Sequence, residues 1–105
     1  MNNSAGFQQS DLAIIISILQ QYPEVAGAWL FGSRAKGNYR TGSDVDIALK
    51  GEQLTAEITS NISYQLNEET SLPYKFDVLN YHVISNIDLR EHIDRVGIRF
   101  FPVSN

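Results

Sequence analysis

Val25-Ala26-Gly27-Ala28-Trp29-Leu30-Phe31-Gly32-Ser33 is an apolar run closed by Gly32-Ser33, and after ten intervening residues the chain reads Asp44-Val45-Asp46-Ile47-Ala48-Leu49. The first run is short, aromatic at its end and closed by Gly32, which predicts a strand. The second alternates acidic and apolar residues until Lys50-Gly51 breaks it, which predicts another. Side chains alternate across a strand, so Asp44 and Asp46 project from one face while Val45, Ile47 and Leu49 project from the other, into a core. Two carboxylates so placed repel each other unless something positive lies between them. A hard divalent cation, Mg2+ above all, is the usual answer. Read alone, the same pair also fits a solvated strand face.

Between the two strands lies a polar stretch, residues 32–43, with three glycines and room for one short helical turn. Gly32 permits a tight turn and lets a phosphate approach the backbone. Exposed amides beyond it, with the Ser33 hydroxyl, can hold triphosphate oxygens. By itself Gly32-Ser33 is an ordinary loop. It is not a P-loop: Gly32 and Gly37 have the glycine spacing, but Asn38 and Tyr39 stand where Lys and Ser/Thr are required.

Working outward toward the N-terminus, Leu12, Ile15, Ile16 and Leu19 recur at helical spacing, with Ser10 as the expected N-cap, Asp11 in the first turn and Pro23 ending the helix near Tyr22. Toward the C-terminus, Leu54, Ile58, Ile62 and Leu66 predict an amphipathic helix over residues 53–69. Tyr74 to Tyr81 reads as a third strand. Ile87 and Ile93 with interleaved charges predict a last helix from about Ser85 to Arg95, ended by Gly97, and Ile98 to Phe101 adds a short edge strand. The expected fold is α/β (α+β): a small mixed β-sheet of three to four strands with helices packed on it, in a single domain spanning residues 1–105.

On the third strand Phe76 and Val78 share one face and Asp77 takes the other. An acid among apolar residues needs a partner or a task, unless it is simply a surface position. With Asp44 and Asp46 it would complete a two-metal site, as a third ligand or as the acceptor of a hydroxyl proton. His82 and His92 lie too far apart to suggest a site. Tyr39 is free to stack on a base, Tyr81 reads better as packing, and Phe100-Phe101 fits either core or interface.

Composition narrows the field. The net charge is −4, which lacks the basic surplus of a protein that grips a nucleic-acid polymer. There are no cysteines, so neither a disulfide framework nor a thiolate zinc site is available. No apolar run is long enough to span a bilayer, and the first residues do not read as a signal peptide. These features fit a cytoplasmic protein without membrane contact.

In order and spacing, Gly32-Ser33-Arg34-Ala35-Lys36-Gly37, then Ser43-Asp44-Val45-Asp46-Ile47-Ala48, then Asp77 on a later strand, the chain resembles the DNA polymerase beta-like nucleotidyltransferase superfamily. More narrowly it resembles the stand-alone minimal nucleotidyltransferase (MNT) domains, over nearly its whole length. The resemblance implies the polymerase beta-like palm fold, a nucleoside triphosphate (ATP) as substrate and two Mg2+ ions. It implies Gly32 and Ser33 as triphosphate-binding residues, Asp44 and Asp46 as metal ligands, and Asp77 as the third carboxylate. Arg34 and Lys36 are either phosphate contacts or solvated loop charges. MNT proteins are commonly paired with a helical HEPN-domain protein encoded nearby. In those pairs the HEPN protein is a ribonuclease toxin and the MNT protein, its antitoxin, transfers AMP from ATP to a tyrosine on it. The chain is short for the superfamily, so the acceptor half of the site is expected from a partner, from a second copy, in a homo- or hetero-oligomer, or from very little protein. A small-molecule (aminoglycoside-type) nucleotidyltransferase and a non-catalytic module that neutralises a partner by contact are the competing expectations.

Overall fold

The computed structural model describes residues 9–32 and 44–102. In chain order the elements are helix α1 (Gln9–Leu19), strand β1 (Gly27–Phe31), strand β2 (Val45–Lys50), helix α2 (Ala56–Glu68), strand β3 (Phe76–Asn80), a 3-10 turn (Tyr81–Val83), helix α3 (Ile87–Val96) and strand β4 (Ile98–Phe101). The strands form one mixed sheet in the order β3-β2-β1-β4. β1 pairs antiparallel with both β2 and β4, and β2 pairs parallel with β3 through the crossover that carries α2.

The two central strands are buried along nearly their whole length, as strands covered on both faces must be. One face carries Ala28 and Leu30 of β1, Val45, Ile47 and Leu49 of β2 and Phe76 of β3. It packs against Ile15, Ile18 and Leu19 of α1 and Ile62 and Leu66 of α2. This is the main core, and the alternation read in β2 assigns its faces correctly. The opposite face carries a smaller cluster, Phe31, Ala48 and Ile93, lined by Leu79, Tyr81, Leu89 and Val96, where α3 lies on the sheet.

Helix boundaries follow their caps. Thr55 caps α2, its Oγ1 accepting from the Ile58 amide at 3.1 Å. Asn86 caps α3 in the same way, accepting from the Leu89 amide at 3.1 Å. Ser10 is not the cap of α1: the helix already includes Gln9, so Ser10 sits inside its first turn. Gly97 does end α3, but not through a left-handed residue. Its φ is −64°, and its Cβ position would fall 2.5 Å from the Ile93 carbonyl, so it is close approach that calls for glycine. In β4 a bulge opposite Ala28/Trp29 breaks the alternation. Consecutive Phe101 and Phe100 therefore both reach the main core, the first buried and the second half-buried, which assigns the pair to packing.

Among the described strands β3 lies at the edge of the sheet, paired with β2. Its other side is met by a side chain. Asn67, in the last turn of α2, accepts from the Phe76 amide through Oδ1 at 2.8 Å and donates from Nδ2 to the Phe76 carbonyl at 3.0 Å. The side-chain amide thus does for Phe76 what a neighbouring strand would do.

Candidate active site

Parallel and antiparallel pairing bring three chain segments to one end of the sheet. Phe31 lies opposite Asp46, and Asp46 lies opposite Asp77. Residues in register project to the same side, so Asp46 and Asp77 stand side by side on the face away from the main core. Asp44 immediately precedes β2 and is exposed, Asp46 is half-buried, and Asp77 is exposed while its neighbour Phe76 is buried in the main core. Gly32, directly after β1, closes the other flank. Its φ is +75°, in the left-handed region, and its Cβ position would fall 2.3 Å from Asp46 Oδ2. A side chain there would be strained by the backbone angle and would collide with the carboxylate. The glycine that ends β1 and the acid pair that opens β2 are therefore one structural unit.

The electrostatics follow from this packing. The Asp46 carboxyl is pushed up from its ordinary 3.8 to about 6, first by its partial burial and then by the charges of Asp77 and Asp44. Burial and the charges of its two acidic neighbours thus oppose ionisation of Asp46. Among the described residues no group of three or more His, Cys, Asp or Glu side chains is placed to hold a metal ion, so Asp44, Asp46 and Asp77 do not by themselves form a three-carboxylate metal site. The donor set that is present is all oxygen, suited to a hard divalent cation and not to a softer transition metal.

Of the residues singled out in the sequence, Gly32, Asp46 and Asp77 are brought together, and Asp44 lies near enough for its charge to act on Asp46. Ser33, Arg34, Lys36 and Tyr39, with the short helical turn expected between the strands, lie outside the described residues. The histidines stay apart. His82 Nε2 accepts from the Gly51 amide at 3.0 Å, and His92 meets Phe31 edge-on with ring centroids 6.3 Å apart. Tyr81 packs against the smaller cluster, as expected: its hydroxyl donates to Asp94 at 2.6 Å, and Lys50 and Arg90 lie over its ring, 4.2 Å and 4.7 Å from the centroid. Lys50 also lies 4.4 Å from the Trp29 ring, at the end of β2 remote from the acids. Sequence reading passed over Asn67 and Lys50. The one signal for Asn67 was a poor helix former placed inside a strongly periodic helix. Nothing local marked Lys50, whose ring partners come from β1 and from the turn after β3.

The chain matches the family model described as Polymerase beta, Nucleotidyltransferase over residues 13–104. It is 34% identical over 91 residues to the probable protein adenylyltransferase MntA of Haemophilus influenzae, a match covering 87% of this chain and 79% of that protein. Among solved structures it is similar to a toxin-antitoxin complex with AMP-PNP, with a TM-score of 0.70 and 22% identity over 84% of this chain and 70% of that one. It is also similar to a complex of tri-AMPylated Shewanella oneidensis HEPN toxin with MNT antitoxin, with a TM-score of 0.67 and 21% identity over 89% of this chain and 71% of that one. No described helix is long and apolar enough to cross a membrane.

Proposed function

The chain belongs to the polymerase beta nucleotidyltransferase family, and from that premise we propose that it is a metal-dependent protein adenylyltransferase, moving AMP from ATP to a tyrosine hydroxyl of a helical HEPN-domain partner and acting as that toxin's antitoxin in the cytoplasm. The observation that carries this reading is the pairing at the sheet end: Asp46 and Asp77 side by side on one face, Gly32 held against Asp46, and the charge of Asp44 acting on Asp46. The identity of the acceptor rests on the relatives, one named as a protein adenylyltransferase and others solved with their toxins.

Each residue has a task in this reaction. The Gly32 backbone amide and the Ser33 hydroxyl receive the triphosphate. Arg34 and Lys36 are further phosphate contacts. Asp44 and Asp46 hold Mg2+, with Asp77 as the third carboxylate. When bound, Mg2+ neutralises phosphate charge and favours ionisation of the attacking hydroxyl. Asp77, the most peripheral of the acids on its edge strand, takes the hydroxyl proton. The tyrosine oxygen then forms a bond to the α-phosphorus as the bond to pyrophosphate breaks, and pyrophosphate leaves with that electron pair. No covalent enzyme intermediate is involved, so the chain's work is positioning and charge compensation.

The test is direct. The purified chain, Mg2+, α-labelled ATP and the HEPN-domain partner are incubated together and both proteins are weighed by intact mass. AMP units on a partner tyrosine are the expected result. A tightly bound but unmodified partner would overturn the transfer reading in favour of neutralisation by contact. Label on a small hydroxylated acceptor such as an aminoglycoside, with none on the partner, would move the chain to the small-molecule class. Omitting Mg2+ should abolish transfer.

A further inference from the structure

We propose that Asn67 is a positioning residue for the transfer reaction: its side-chain amide, bonded to both outward-facing backbone groups of Phe76, sets where the next residue, Asp77, stands beside Asp46. This inference rests on the reading of Asp77 given above.

Strand geometry supplies the argument. In the parallel pairing of β2 with β3 the Val45 amide donates to the Lys75 carbonyl at 2.8 Å. Backbone groups of successive residues alternate in direction, so Lys75 and Asp77 face β2 while Phe76 faces outward. An outward-facing pair on an edge strand would ordinarily be left to water, and the strand would be held from one side only. Here both groups are taken by one amide, with the acceptor matched to the N–H and the donor to the C=O. The opposite amide orientation would set like against like, so the hydrogen-bond network fixes it.

The amide is itself held. Nδ2 also donates to the Ser63 carbonyl at 3.0 Å and to Ser63 Oγ at 3.3 Å, one helical turn back in α2. With its backbone gripped by Asn67 and its side chain buried in the main core, Phe76 is fixed in two directions. Asp77 is the next residue, and its side chain is exposed. Its side chain has little packing of its own to place it, so its position follows from the backbone at Phe76. The task of Asn67 is thus to transmit the rigidity of α2 to an acid that needs accurate placement.

The experiment is a double-mutant cycle on transfer from α-labelled ATP to the HEPN-domain partner, with Asn67→Ala, Asp77→Asn and the double variant, thermal stability being followed for each. Thr55→Ala is the control: it removes the α2 N-cap and lowers stability without touching Phe76, and its transfer should equal that of the parent. Asn67→Ala should lower kcat by about 10- to 100-fold, because a misplacement on the order of 1 Å has effects of that size. It should leave KM for ATP unchanged, since the glycine flank is untouched, and the Phe76 amide should exchange its hydrogen faster. In the Asp77→Asn background the same substitution should have no further effect. An equal loss in both backgrounds would overturn the inference and reduce Asn67 to a stability role, as would parental kcat in Asn67→Ala. Parental activity in Asp77→Asn alone would instead remove Asp77 from the site, a failure of the underlying reading. If Asp77→Asn has no measurable turnover, Asp77→Glu takes its place as background. If Asn67→Ala does not fold, Asn67→Asp, which keeps the acceptor for the Phe76 amide and loses the donor, is substituted with the same expectations.

Discussion

On one face of the sheet Val45, Ile47 and Leu49 of β2 are wholly buried under α1 and α2; on the other, Asp46 is half exposed, Ala48 is buried under α3, and Lys50 lies between two aromatic rings. The faces differ by one residue of a strand and by everything they do. The first is apolar throughout and supplies the hydrophobic stabilisation. The second is divided: α3 covers Phe31 and Ala48, while Asp46, in register between Phe31 and Asp77, stays half-exposed. A sheet anchored from one side can tolerate repelling carboxylates on the other. The comparison predicts that substitutions on the two faces separate cleanly into loss of stability and loss of chemistry.

The largest effect should come from the acids. Asp46→Asn or Asp44→Asn is expected to lower AMP transfer by about 100-fold or more, since each removes a carboxylate proposed to carry charge compensation, while circular dichroism stays that of the parent. The mirror experiment is Ile47→Ala, next to Asp46 but on the core face. Deleting a fully buried isoleucine to alanine costs about 2–5 kcal/mol, read as a lower urea midpoint, with transfer per folded molecule retained. Intact stability in Ile47→Ala together with lost transfer would break the division between the faces. Gly32→Ala tests the seam. The left-handed backbone adds a penalty of about 1–2 kcal/mol, and the new methyl displaces the Asp46 carboxylate it would collide with. Both stability and transfer should fall, the second by about 10-fold or more.

Much of this division could be read along the chain. Alternation in Asp44-Val45-Asp46-Ile47 placed acids and core on opposite faces, and period-four Leu54, Ile58, Ile62 and Leu66 placed α2 against them. These signals are local and repeat at the period of the element that produces them. What could not be read depends on partners distant in sequence. Asn67 looks unremarkable until β3 is seen as an edge strand lying against α2. Lys50 is an ordinary strand end until Trp29 and Tyr81 close over it. The Phe100-Phe101 pair stayed undecided because a bulge, which alternation does not announce, turns both inward. Gly32 was read as a phosphate-side glycine. Its second reason, the nearness of the Asp46 carboxylate, follows from the β1-β2 register.

The smallest effect expected is also the one that probes the acid cluster without any substrate. In the metal-free protein the Asp46 carboxyl, held at about 6 against an ordinary 3.8, is raised in the folded state. For a raised group the linked contribution to stability is fully present below the unfolded value and is lost as pH rises through the folded one. Asp46 therefore weakens the metal-free fold as pH climbs from about 4 to about 6 and keeps it weakened at neutrality. Asparagine cannot ionise, so Asp46→Asn should be the more stable protein at about pH 8, by roughly 1 kcal/mol once solvent screening of a half-exposed carboxylate is allowed for. The gap should close as the parent protonates on acidification. Mg2+ should also narrow it from the other side, because an ion bound only by the folded parent adds stability that the variant does not gain. Urea unfolding of both proteins across this pH range, with and without Mg2+, reads all three effects. A variant less stable than the parent at about pH 8 without metal would mean that neither burial nor the charges of Asp77 and Asp44 penalise the ionised Asp46 carboxyl, and the charge argument for a cation at this end of the sheet would go with it.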